Sequence, residues 1–206
     1  VRRAERRVRS DGSAWVSSVW AAIVPRYAPA MPQARLIQSP LLDVPHGFTT
    51  RHEGYSTGMF STLSFGNPGN LAREARDRPE TIAKNFELVL DAIGCGGRER
   101  VEVHQVHGGE VHEVRRGARS HPTEHDTKAD AIVVDDPGRV LVIRVADCAP
   151  VLLSGDNGAI VGAVHAGWRG VIAGVVPRTV DVMHRWGTKR IAAAVGPCIS
   201  ADHFEV

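Results

Sequence analysis

Two hydrophobic rhythms divide the chain. Ile82, Phe86, Val89, Leu90 and Ile93 recur at the spacing of one helical face, which predicts a helix over 77–93. Asp77 stands where it can cap that helix, Pro79 falls in its first turn and Gly94 ends it. Short apolar runs follow and predict strands over 101–106, 110–114, 130–135, 139–146, 150–154 and 159–165. The turn Asp136-Pro137-Gly138 is expected to join two of them as a hairpin. A second helix is expected over 170–186, disturbed at Pro177, and a last strand over 191–195. Upstream, residues 44–51 read as a short strand. Residues 52–70 are so rich in Gly, Ser, Thr and Asn that they predict a long loop, and a loop of that length inside a compact domain is usually functional. Residues 115–128 form a second polar loop.

The runs at 140–146 (VLVIRVA) and 159–165 (AIVGAVH) are apolar almost throughout, as strands buried on both faces tend to be. The expected fold class is α/β in the broad α+β sense, a layered sandwich with a central mixed β-sheet flanked by helices.

Length and charge narrow this picture. With 206 residues the chain can bury one full-sized core. In residues 1–30 six arginines against Glu5 and Asp11 give +4, which leaves −2 on residues 31–206 of a chain whose net charge is +2. The basic character belongs to the first segment, and the body makes no case for nucleic acid. We therefore expect a weakly ordered leader over 1–33, with Met31 a natural start, and one catalytic domain over 34–206. The leader loosely imitates a signal peptide, but Ser17, Ser18 and two tryptophans interrupt its apolar part. Three cysteines argue against a disulfide framework and for a reducing, cytoplasmic compartment, and no apolar run approaches membrane-spanning length.

The chemistry concentrates in three motifs. Ala146-Asp147-Cys148 and His165-Ala166-Gly167-Trp168-Arg169-Gly170 place a thiol and an imidazole 17 residues apart, each at the end of an apolar run. Gln105-Val106-His107-Gly108 adds a second imidazole at the end of another. Each donor is followed by a change of chain direction, and active-site groups cluster where strands hand over to loops. Three such donors can hold one metal ion with a position left for water, whose pKa the metal would lower. Thiolate and imidazole suit zinc and copper alike. The same residues also read as a Cys148 nucleophile with His165 as its base. Arg169 is expected at the start of the second helix, where a guanidinium and free N–H groups favour an anion, and Arg51 is a second anion-binding candidate. Trp168 could stack on a planar ligand. His121 and His125 read as solvated, His104 as facing away from His107, and Cys95 and Cys198 as structural thiols.

These motifs resemble the bacterial laccase-domain family, also called multicopper polyphenol oxidase-like, whose members are described as purine nucleoside phosphorylases or peptidoglycan editing factors. The resemblance runs from about Leu36 to the end. It rests on His46-Gly47-Phe48-Thr49-Thr50-Arg51, the three motifs above, Ala129-Asp130-Ala131, and Gly196-Pro197-Cys198-Ile199. It implies that His107, Cys148 and His165 bind one zinc ion. It also implies a sandwich similar to that of cysteine-dependent bacterial toxin deamidases. The implied activities are phosphorolysis of adenosine, inosine, guanosine or methylthioadenosine, with adenosine deamination beside it. The implied partners are purine nucleosides and phosphate; we expect a monomer or weak homodimer, and from charge and hydropathy neither nucleic acid nor membrane as a partner. A hydrolase that edits a cell-wall precursor and a copper-dependent phenol oxidase are the alternatives, and the oxidase ranks last because a multicopper centre needs more histidines. The chain departs from the family at Glu53-Gly54, where paired glycines are common, and at Ser64, where asparagine is. Family members usually continue past Phe204-Glu205-Val206, so a final helix or strand is expected to be missing.

Overall fold

The structure, a computed structural model, describes residues 33–60, 62–66, 77–118 and 127–205. The expected leader falls almost wholly outside these residues, as do His121 and His125.

Its centre is a five-stranded mixed sheet. The strands are β4 (Val111–Val114), β5 (Ala131–Val134), β7 (Ala149–Gly155), β8 (Ile160–Ala166) and β9 (Ile191–Val195). Their order is β4-β5-β8-β7-β9, with β4 and β5 parallel and every other pair antiparallel. Two small sheets accompany it: β1 (Leu36–Ile37) with β2 (Phe48–Thr49), antiparallel, and β3 (Glu99–Val101) with β6 (Arg139–Leu141), parallel. The helices are α1 (Pro79–Ala92), α2 (Trp168–Ile172) and α3 (Val175–Arg185).

Side-chain alternation sends the two faces of the central sheet into different cores. Ala131, Val133, Val151, Leu153 and Val164 pack against Val175, Val182 and Met183 of α3. On the opposite face Ile132 and Val134 meet Val101, Val103 and Val114, while Leu152 packs with Leu42 and Phe48. A central mixed sheet flanked by helices is thus the observed architecture. Among the described residues no helix is long and apolar enough to cross a membrane.

Several local expectations change, each for a physical reason. The turn at 136–138 forms, with Asp136 Oδ1 accepting the Gly138 N–H at 2.9 Å, but it joins no hairpin. β5 already has β4 and β8 as neighbours, so β6 leaves to pair with β3. The strand expected over 101–106 is reduced to β3 and an isolated bridge between His104 and Lys128. The strand expected over 139–146 ends at Leu141. The second helix breaks at Gly174, whose φ of 79° is left-handed. Pro177 lies in the first turn of α3, where its missing N–H costs nothing. Arg78 rather than Asp77 occupies the N-cap of α1. Asp77 instead accepts hydrogen bonds from the Arg78 N–H and the Ser56 hydroxyl.

The loop after β2 is tied down by one buried side chain. Asn85 of α1, fully buried, accepts the Tyr55 N–H and donates to the Ser56 hydroxyl and the Ser64 carbonyl, all at 2.8 Å. The backbone at Glu53 is left-handed (φ 65°), a conformation glycine adopts without cost, and Glu53 also pairs with Arg35 at 2.7 Å. A Cβ on Gly54 would collide with the backbone of Thr62 and Leu63, so a side chain there is excluded.

An Asn85→Ala variant removes the partner of the Tyr55 N–H and of the Ser64 carbonyl, and one of the two partners of the buried Ser56 hydroxyl. It should lose about 2–4 kcal/mol in urea unfolding and admit proteolysis between residues 55 and 66 before global unfolding. Cleavage only at the rate of global unfolding would show that the loop is held by other contacts.

Candidate metal centre

The centre is built by strand register. β5 and β8 pair with Ala131 opposite Val164, and β7 and β8 pair with Pro150 opposite His165. One step further out, the His165 N–H donates to the Asp130 carbonyl at 2.7 Å. Asp130 and His165 are thus cross-strand neighbours, and alternation points both side chains to the face away from α3. Cys148 immediately precedes Ala149, which pairs with Ala166. Three strand ends therefore converge at one end of the sheet.

His107 arrives on a loop that is held from beneath. Asp130, fully buried, accepts N–H bonds from Val106 at 3.2 Å, His107 at 2.9 Å and Gly108 at 2.6 Å. It also accepts a bond from His165 Nδ1 at 2.7 Å. His107 itself is left-handed, with φ of 61°, an uncommon conformation for a residue with a side chain. The cradle of amides on Asp130 holds that turn. Because a carboxylate can only accept, Nδ1 of His165 carries the proton and Nε2 offers its lone pair. Burial works to raise the Asp130 carboxyl pKa. The hydrogen bonds from His165 and from Gly108, Val106 and His107 outweigh it and hold the group below its ordinary value.

The donor atoms of His107, Cys148 and His165 all lie within 4.8 Å of one another, and the two imidazoles meet edge to face at 4.7 Å. Ligand atoms around a tetrahedral zinc ion are about 3.5 Å apart, so small side-chain rotations suffice to close the set on one ion. Gly167 forms the floor. A Cβ there would lie 3.0 Å from the His107 ring, 3.1 Å from the Cys148 sulfur and 3.7 Å from the His165 ring. The residues fit a metal ion in donor type, in a carboxylate behind one histidine, and in the space glycine leaves open. Cys148, half-buried, has its thiol pKa raised by desolvation and by the charges of Asp147 and Asp130. A free nucleophilic cysteine needs the opposite shift.

The other candidates are placed less centrally. Arg169 is exposed in the first turn of α2, its guanidinium 5.0 Å from the Trp168 ring, and α2 has only five residues. The long helix expected behind Arg169 therefore does not exist as one element. Trp168 is itself exposed. Arg51 follows β2 and lines a cavity of ≈ 1250 Å3 on the face of the sheet away from α3. That cavity is also bounded by Gln105, Ala146 and Pro150, which flank the donors, although no donor lines it. His46 is structural: buried, it donates from Nδ1 to the Val44 carbonyl and accepts the Ser39 N–H at Nε2. Cys95 is buried. Cys198 is exposed rather than buried, because β9 is an edge strand and the chain leaves it through an Ile199 N–H bond to the Asp147 carbonyl.

Sequence reasoning missed Asp130 as a working residue. Its signal is a lone acid at the head of the run Ala131–Val134, where a buried charge must have partners. It also missed Gln105, whose side-chain amide donates to the Arg144 carbonyl at 2.7 Å and accepts the Arg144 N–H at 2.9 Å. Those two bonds span the segments that carry His107 and Cys148.

Residues 45–206 match the family model described as multi-copper polyphenol oxidoreductase laccase. A purine nucleoside phosphorylase of Deinococcus radiodurans is 36% identical over 182 residues, which are 87% of this chain and 65% of that protein. A purine nucleoside phosphorylase of Streptomyces coelicolor is 34% identical over 78% of this chain and 63% of its own length. The crystal structure of YlmD from Geobacillus stearothermophilus superposes with a TM-score of 0.64 at 25% identity, over 86% of this chain and 62% of YlmD. The chain spans somewhat under two thirds of the length of these relatives.

Two predictions follow from the Asp130 cradle and the Gly167 floor. A carboxyl held below its ordinary 3.8 contributes stability that is present above that value and lost as pH falls through the lower folded one. The stability gap between the protein and Asp130→Asn should therefore be widest near neutral pH and shrink below about pH 4. A gap that does not vary with pH would remove the carboxylate from this role. Gly167→Ala should lose about 1–3 kcal/mol yet remain folded, and fail to retain a metal ion on dialysis, since its methyl crowds the His107 ring and the Cys148 sulfur.

Proposed function

The chain belongs to the multi-copper polyphenol oxidoreductase laccase family, and from that premise we propose that it is a zinc-dependent purine nucleoside phosphorylase that also deaminates adenosine. The convergence of His107, Cys148 and His165 carries this reading, and the relatives named purine nucleoside phosphorylase support it.

His107, Cys148 and His165 are the metal ligands in this proposal. A metal ion held by these three residues would supply Lewis acidity, which stabilises developing negative charge and lowers the pKa of water. Asp130 keeps His165 in the tautomer that presents Nε2, and it fixes the His107 turn. In phosphorolysis an oxygen of phosphate forms a bond to C1′ of the ribose as the bond from C1′ to the purine nitrogen breaks. The purine leaves with the electron pair and takes up a proton, and ribose 1-phosphate remains. Arg169 and Arg51 are the arginines the sequence offers for orienting phosphate. The substrates are adenosine, inosine, guanosine and methylthioadenosine. For the deaminase activity water adds to the purine ring carbon that bears the amine, the bond from that carbon to the amine nitrogen breaks, and ammonia leaves with the proton it needs, so that adenosine becomes inosine.

The raised thiol of Cys148 weighs against a metal-free cysteine hydrolase acting on a cell-wall precursor. A bound cation favours the thiolate, which turns the same burial into a reason to ligate. Three donors hold one ion, so the site supports a multicopper oxidase reading less well than a single-metal one.

Purified protein should carry about one metal ion per chain, with zinc the expected element. It should release hypoxanthine from inosine only when phosphate is present, lose that activity on chelation and recover it with zinc. Cys148→Ala should cost more than the roughly 10–100-fold typical of an outer-shell change. Full activity in that variant would overturn the proposal.

A further inference from the structure

We propose that Arg144 anchors the phosphate that attacks the nucleoside; this rests on the phosphorolysis reading above. The residue lies inside the apolar run at 140–146, which reads as a strand. In the structure β6 ends at Leu141 and Arg144 is exposed. Its backbone is fixed on both sides by the Gln105 amide, at 2.9 Å and 2.7 Å. Its guanidinium reaches across to the loop after β2, where a Cβ on Gly66 would stand 2.8 Å from Nη1.

The charge of this guanidinium is not neutralised within the described residues. Arg35, Arg100, Arg115, Arg139, Arg178 and Arg185 each pair with a carboxylate, and Arg144 has no such pair there. It lines the cavity on the sheet face to which His165 and Asp130 also project, and Arg51, Gly66 and Gln105 line that cavity with it. The position is four residues before Cys148, so the chain limits the separation to about 14 Å.

An arginine with a clamped backbone, facing a cavity and with no carboxylate partner among the described residues, suits a tetrahedral oxyanion. Two parallel N–H groups can meet two oxygens of phosphate, and little backbone freedom is lost when they do. Gly66 matters for the same reason, because any side chain there would push the guanidinium aside. Gln105 is a positioning residue in this scheme: it carries His107 on one side and sets Arg144 on the other.

The test is calorimetric titration of the metal-replete protein with inorganic phosphate, beside steady-state phosphorolysis of inosine. Arg144→Gln should weaken phosphate binding at least about tenfold and raise the phosphate KM by the same factor, with the inosine KM, metal content and Tm unchanged. Arg144→Lys, which keeps the charge and loses the fork, should fall between the two. Unchanged phosphate affinity in Arg144→Gln overturns the proposal, as does failure of the parent protein to bind phosphate. Binding of inosine 5′-monophosphate well above that of inorganic phosphate, lost in the same variant, overturns the assignment to the attacking phosphate. Phosphate binding that depends on Arg144 in a protein releasing no purine sustains the anchor and removes the phosphorolysis reading instead.

Discussion

One buried carboxylate organises the functional end of this molecule. Asp130 is fully enclosed, and such a charge is tolerated only when every oxygen lone pair finds a donor. Here the donors are three consecutive amides and an imidazole, drawn from segments far apart in the chain. The requirement works in both directions. The carboxylate needs the loop and His165, and without it the loop has no reason to hold His107 in a left-handed turn. Folding of the sheet end and assembly of the donor set are therefore one event.

The electrostatics of the centre favour a cation over a lone thiolate. Asp130 and Asp147 both place negative charge near Cys148, which opposes ionisation of the thiol. The same charges attract a divalent ion, and His165 transmits the field of Asp130 to its Nε2 lone pair. A site intended for cysteine nucleophilicity would carry positive charge or a helix N-terminus at this place. Among the described residues the helix that adjoins the centre in sequence is α2, which is short and follows the histidine rather than the cysteine.

What could be read from the sequence was what local chemistry decides. The helix over 79–92 follows from four apolar positions on one face, Ile82, Phe86, Val89 and Leu90, and the three donors were legible because each stands where an apolar run stops. The remainder depends on non-local competition. Asp136-Pro137-Gly138 signals a turn, but which strand β6 would join depended on β5 being already flanked. Gly174 and Pro177 both break helices by rule, and only the packing of α3 on the sheet decides that the break falls at Gly174. Arg144 looks like a strand residue until β6 ends three positions earlier. Asp130 was visible as part of a motif, whereas its purpose lies in partners more than twenty residues away on either side.

The antiparallel ladder between β7 and β8 also acts as a checkpoint on competence. Pro150 stands opposite His165, and seven successive residue pairs set that alignment. A slip of one residue would turn the imidazole to the helix-covered face and strand Asp130 without its partner. No intermediate alignment keeps half a centre, because side chains in a strand have only two directions. A chain that pairs these strands one residue out of register would thus lose the donor set that the proposed metal ion needs. An ion of the kind proposed would select the correct alignment from the alternatives, so metal supply during synthesis would bear on the yield of properly paired protein.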